Sequence, residues 1–119
     1  MYICNIKSHI KREIKIILSA DAHNFVHAQP LNVRDKIYFN IKKIETGFVS
    51  KELFKKLEGT DIWELRTEYE GNAYRILAFW DKRKKSLVVA THGFVKKTMK
   101  TPPKEISKAE AIMKEYLKK

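Results

Sequence analysis

Cysteine, glycine, proline and acidic side chains are all scarce in this chain of 119 residues, and each scarcity closes off a class of protein. A single cysteine, Cys4, leaves no partner for an internal disulfide framework and is the pattern of a reducing, cytoplasmic compartment. With four glycines and three prolines there is no low-complexity linker, and no repeat breaks the chain into modules. No apolar run approaches the roughly 18 to 20 residues that a membrane-crossing helix requires. The opening MYICNIKSHIKREIKIIL is interrupted by lysines and has no small-residue cleavage site, so neither a membrane span nor a secretion signal is expected. A phosphate-binding glycine loop, a paired-cysteine zinc pattern, an HExxH helix and an obvious Ser-His-Asp arrangement are all missing. His23 and His27 lie four apart without a third plausible ligand nearby, which reads as a surface or partner-facing helix and not as a metal site.

What the chain has in excess is positive charge. Twenty-five Lys and Arg against 14 Asp and Glu give a formal net charge of +11. A field of that strength favours RNA, DNA, an anionic membrane or an acidic protein partner, and charge alone does not choose among them. Its distribution is uneven: Lys82 to Lys104 holds eight Lys or Arg and no Asp or Glu. With 44% hydrophobic residues, the length suits one compact domain over residues 1–119.

The organising stretch runs from Gly59 to Thr101. Ile62–Tyr69 and Asn72–Trp80 are rich in aromatic and branched residues and meet at Glu70-Gly71, a tight-hairpin signal; Ser86–Phe94 is a third such run after the basic turn Asp81–Lys85. Three strands with short connections predict an antiparallel meander. Regular alternation puts Trp63, Leu65, Thr67 and Tyr69 on one face and Glu64, Arg66 and Glu68 on the other, with Tyr74, Ile76, Ala78 and Trp80 opposite Arg75, Leu77 and Phe79. Arg75 amid apolar neighbours predicts helices on one face and a partly open polar groove on the other.

Around this sheet, Glu13–Leu18 is a strand candidate, and Ser19 or Asp21 caps a short helix that Gln29-Pro30 ends. Val33, Ile37, Ile41, Ile44 and Phe48 have amphipathic spacing, with Gly47 ending that helix near Thr46. Ser50–Leu57 fits either a helical turn or an irregular strand. Pro102-Pro103 opens a last helix with Ile106, Ala109, Met113 and Tyr116 or Leu117 on one side.

In order and spacing, LFKKLEGTDIWELR, NAYRILAFW and above all THGFVKKTMKTPPKEISKA resemble the phage-derived Gp49-like branch of HigB toxins, within the RelE/ParE toxin superfamily. The resemblance spans Glu13 to Tyr116 and departs at the start, where residues 1–12 form an N-terminal extension if the first strand does not begin early. It implies an α/β (α+β) fold with a RelE-like curved antiparallel sheet, two N-terminal helices packed on it and a C-terminal helix. It also implies the toxin half of a type II toxin-antitoxin system, partnered by a helix-turn-helix, HigA-like antitoxin through which larger assemblies form. RelE and HigB relatives cleave messenger RNA on the ribosome, whereas ParE relatives act on gyrase. A ribosome-dependent, metal-independent endoribonuclease (mRNA interferase) is the leading expectation; a gyrase-directed toxin and a noncatalytic RNA- or antitoxin-binding protein are the alternatives.

The site expectations follow from charge and chemistry. In metal-free RNA cleavage the 2′-oxygen attacks the adjacent phosphate, the 5′-oxygen leaves, and negative charge grows on the nonbridging oxygens. Arg75, His92, Lys96 and Lys97 are the catalytic candidates: a bidentate phosphate clamp, a proton-transfer group and two mobile cations. His92 has two further readings, RNA orientation and a structural hydrogen bond. Arg66, Tyr74, Lys55, Lys56, Lys82, Arg83, Lys84, Lys85 and Lys100 are the RNA-binding candidates, with Trp63, Trp80, Tyr69 and Tyr74 available for base stacking. For the aromatics the competing role is core packing; for the lysines it is a solvated surface. Glu64, Gly93 and Thr101 are read as architectural: a salt bridge, a crowded backbone and a helix entry.

Overall fold

A computed structural model describes residues 13–119. The expected extension over residues 1–12, and Cys4 with it, lies outside the described residues.

Strand β1, Lys15–Leu18, runs into Ser19, whose hydroxyl accepts from the Ala22 amide and so caps helix α1, Ala20–His27. The same hydroxyl donates to the Thr91 carbonyl, tying the helix entry to the sheet. Pro30 starts helix α2, Leu31–Glu45, which buries Val33, Ile37, Ile41 and Ile44. Phe48 falls outside this stripe: the chain turns at Gly47, with φ +96°, and leaves the Phe48 ring exposed beneath the Lys43 ammonium. The ambiguous stretch before Gly59 contains a strand of three residues, β2 (Phe54–Lys56), followed by β3 (Trp63–Tyr69), β4 (Asn72–Asp81) and β5 (Leu87–Lys96). Glu70 and Gly71, with φ of +46° and +80°, make the β3–β4 turn that the dipeptide signalled. Helix α3, Pro103–Leu117, ends the chain.

Among the described residues the fold is α+β: three helices and a five-stranded sheet in the order β1-β5-β4-β3-β2. The expected all-antiparallel sheet is corrected to a mixed one, because β1 lies parallel to β5, with Ile16 opposite Val88. The helical passage through α1 and α2, and then the β2–β4 strands, separates β1 from β5 and permits that parallel pairing. On one sheet face Leu65, Tyr74, Ile76, Ala78, Val88 and Ala90 pack with α1 and α2; on the other Leu77, Phe79 and Val89 pack with Ala109 of α3. Helix α3 covers only part of that second face.

One irregularity decides what the uncovered part displays. Leu77 pairs with His92 but Ala78 pairs with Ala90, so Thr91 is an extra residue in β5, and its hydroxyl donates to the Leu77 carbonyl. Before this bulge Val88 and Ala90 face α1 and α2. After it the phase changes, and His92, Phe94 and Lys96 point to the α3 side while Gly93 and Val95 point to the other.

Candidate functional site

Beyond the edge of α3, the second sheet face carries a grid of charged side chains. Arg66 on β3 stands directly opposite Arg75 on β4, which in turn stands opposite Phe94 on β5. Two residues along, Glu68 pairs with Ala73 and Ala73 with Lys96; two residues the other way, Lys55 pairs with Glu64. Like charges facing each other across a ladder are destabilising unless something lies between them. Here Glu64 does: its Oε1 is 3.5 Å from Arg66 Nε and 3.7 Å from Arg75 Nε, and its Oε2 accepts the Thr101 hydroxyl proton. The carboxylate is buried, so one residue of β3 holds two guanidinium groups and the entry to α3 together.

Arg75 is the most constrained member. Its side chain is 5% exposed, and Nη1 donates to the Tyr74 carbonyl and to Glu68 Oε2, the latter at 2.9 Å. Its Nε is buried without a hydrogen-bond partner, the kind of atom that needs a reason in a folded protein. Glu68 is 65% exposed, so the partner of Arg75 is free to swing away while Arg75 is not. Arg66 is more open and donates from Nη1 to the Lys51 carbonyl. The Lys96 ammonium has its pKa pushed down, first by burial and then by the neighbouring Arg75, Arg66 and Lys55 cations, with Glu64 opposing them. Lys55, Arg66, Arg75 and Lys96 thus converge on one patch.

Lys97 and Lys100 are exposed on the segment that leaves β5, next to the patch in sequence. His92 is placed differently. It is 3% exposed, with Nε2 at 3.0 Å from Glu105 Oε1 and Nδ1 at 3.1 Å from the Thr91 hydroxyl. Both ring nitrogens are engaged, burial lowers its pKa against the pull of Glu105, and the ring tethers β5 to α3, the arrangement of the structural-hydrogen-bond reading. Tyr74 is buried on the side packed by α1 and α2, one residue and one face away from Arg75, where it fills the core. Tyr69, Trp63 and Trp80 share that side, so they form no stacking platform for the arginines.

The basic stretch from Lys82 to Lys104 is not continuous in space. Its turn residues Lys82, Arg83, Lys84 and Lys85 lie at the start of β5 and Lys96 at its end, roughly 30 Å away at strand rise. Arg83 is not a free cation: it binds Asp81 through Nε and Nη2 at 3.0 and 3.1 Å and donates to the Lys119 carbonyl. In return the guanidinium holds the Asp81 carboxyl down at about 2. Lys56 points with Trp63 toward this same far end, away from Lys55.

Two members of the patch lay outside the sequence-based site. Phe94 becomes a neighbour of Arg75 only because of the bulge, which no periodicity rule reveals. Glu68 was visible on the face of Arg66, but its pairing with Arg75 depends on the β3–β4 register. Gly93 is crowded as expected: a methyl group there would sit 2.2 Å from the Phe25 ring of α1. Among the described residues no group of three or more His, Cys, Asp or Glu side chains is disposed to hold a metal ion. The His23 and His27 rings instead stack on one another at 4.1 Å. No helix among the described residues is long and apolar enough to cross a membrane.

A small α+β protein with a cation-lined sheet face ordered by one buried carboxylate is what these features define. The chain belongs to the phage-derived Gp49-like family (DUF891), whose sequence profile matches residues 24–114. No curated protein matches it.

Proposed function

We propose that this protein is the toxin of a type II toxin-antitoxin pair and cleaves messenger RNA on the ribosome, its sheet serving as a RelE-like platform. The observation that supports this reading is the convergence of Lys55, Arg66, Arg75 and Lys96 around Glu64 in a Gp49-like chain. Arg75 is the phosphate clamp. Its position is fixed by burial and by Glu64, and a phosphate that displaces Glu68 from Nη1 gains a pre-aimed guanidinium where charge develops. Arg66 shares the developing charge from the neighbouring strand.

Lys96, whose ammonium is acidified by burial and by the cations beside it, donates the proton to the leaving 5′-oxygen. Lys97 and Lys100 steer the RNA. Phe94, half-buried beside Arg75, offers a ring edge to a base. The partner that silences this surface is a helix-turn-helix, HigA-like antitoxin of acidic or mixed charge, and the protein works in the cytoplasm.

The test is position-resolved messenger RNA cleavage in a purified translation system, run beside ribosome-free RNA and a gyrase supercoiling assay. Cuts in translated messages with isolated RNA left intact are the expected result. Intact messages with inhibited gyrase would move the protein to the gyrase-directed class, and inactivity in both assays would leave a binding role.

A further inference from the structure

At the opposite end of the sheet from Lys96, an open cleft of about 500 Å³ lies between the start of β3, the end of β4 and the last turns of α3. That volume is in the range of small-molecule sites. Its walls are Trp63, Trp80, Phe79, Met113 and Leu117. The two indoles meet edge to face with ring centres 6.2 Å apart on the side packed by α1 and α2, and both stay partly exposed, while Phe79 and Met113 approach from the α3 side. Trp63 and Trp80 are the only tryptophans in the chain. At the mouth stand Lys56 and Lys82, both exposed and neither in an ion pair among the described residues, with Asp61 the single carboxylate. Arg83 also borders the cleft, but its guanidinium is held by Asp81.

We propose that this cleft is a second binding subsite for a nucleotide: the base stacks against the exposed surface of the tryptophan pair and the phosphate rests on Lys56 and Lys82. The aromatic walls select a planar ring, since every base has a π face to stack and an indole offers a large one. Two mobile ammonium groups opposed by one carboxylate select an anion, and lysine binds phosphate as a point charge without demanding a fixed geometry. Trp63 lies on the opposite face of β3 from Arg66, so the cleft is separate from the arginine patch and an RNA strand that occupies both passes round the sheet edge. The assignment to RNA rests on the ribonuclease reading above; the preference for a base joined to a phosphate does not.

Because both tryptophans line the cleft, the intrinsic fluorescence of the full chain reports on this site. It is titrated with AMP, UMP, a 2′-O-methyl trinucleotide, ribose 5-phosphate and decanoate, using the wild type and a Lys56→Ala, Lys82→Ala double variant, with circular dichroism to show that the variant is folded. The nucleotides and the trinucleotide quench the emission saturably, while ribose 5-phosphate and decanoate do not, and the double variant binds about tenfold more weakly. A trinucleotide that binds tighter than AMP identifies the source as an RNA strand, and equal affinity identifies a free nucleotide. Response to decanoate without response to AMP, or unchanged nucleotide binding by the folded double variant, overturns the proposal. Messages cut on the ribosome with no nucleotide quenching would retire the cleft and leave the ribonuclease; quenching without cleavage would do the reverse.

Discussion

Arg75 combines a buried, immovable guanidinium with an exposed and movable partner, and both halves of that pairing are testable. On the proposed mechanism Arg75→Ala removes the phosphate clamp and should lower single-turnover cleavage at saturating ribosome by about 10²–10³-fold. Thermal unfolding shifts far less, because Glu64 keeps Arg66 and Thr101 as partners. Arg75→Lys restores only part of the rate, since the fork geometry is lost. An Arg75→Ala protein that unfolds like the wild type and keeps its single-turnover rate would make Arg75 a structural arginine. Glu68 occupies Arg75 Nη1, where the proposed mechanism puts the phosphate, so Glu68→Gln acts in the other direction. An exposed ion pair is worth roughly 0.2–1 kcal/mol. Relieving the competition therefore tightens RNA binding by a few-fold at most, read as a titration at fixed salt. Weaker binding by Glu68→Gln would mean that the carboxylate orders Arg75 and does not compete for it.

Elements rather than single groups explain what the sequence could and could not convey. The β3–β4 hairpin, the stripes of α2 and α3 and the Ser19 cap were legible, because turn chemistry, helical period and capping are local. Strand β2 was not, being three residues long, and neither was the parallel pairing of β1, which depends on contacts some seventy residues away in the chain. The co-facial arginines were legible from alternation, while the burial of His92 was not, since it is made by Glu105 and α3. That tether gives a pH dependence. Burial depresses the His92 pKa below its ordinary 6.5, so its contribution to stability is complete above that value and falls as pH drops through the window beneath it. Chemical denaturation of wild type and His92→Gln between pH 5 and pH 8 should show a slope in the first and a flatter profile in the second. The contact between α1 and β5 is equally specific. Gly93→Ala drives a methyl into the base of the Phe25 ring and costs about 1–3 kcal/mol by overpacking, and a Phe25→Ala, Gly93→Ala double variant loses less than the sum of the two single changes.

Across the whole molecule the net charge of +11 is unevenly used: one cluster surrounds the arginine patch and another surrounds the far cleft, with the apolar middle of β5 between them. Ribosome association should weaken steeply as salt rises, and replacing Lys96 and Lys97 with alanine should reduce the slope of that dependence while changing the bound cleavage step chiefly through Lys96. The antitoxin complex should survive moderate salt if its interface is more than a rim of charge, and copurification of the neighbouring gene product at increasing ionic strength measures this. The bulge at Thr91 imposes a rule on how the chain can change. Up to Ala90 the even-numbered residues of β5 belong to the helix-packed side, and from His92 onward they belong to the charged side, so the strand is written in two parities joined at one residue. Loss of that residue would leave both halves as they are: with Thr91 removed, Ala90 and His92 become neighbours on a regular strand and keep their opposite faces, and what disappears is the bond from the Thr91 hydroxyl to the Leu77 carbonyl. Deletion of Thr91 should therefore cost less than deletion of a regular residue such as Val95, which would turn Lys96 inward, and thermal unfolding of the two deletion variants compares them.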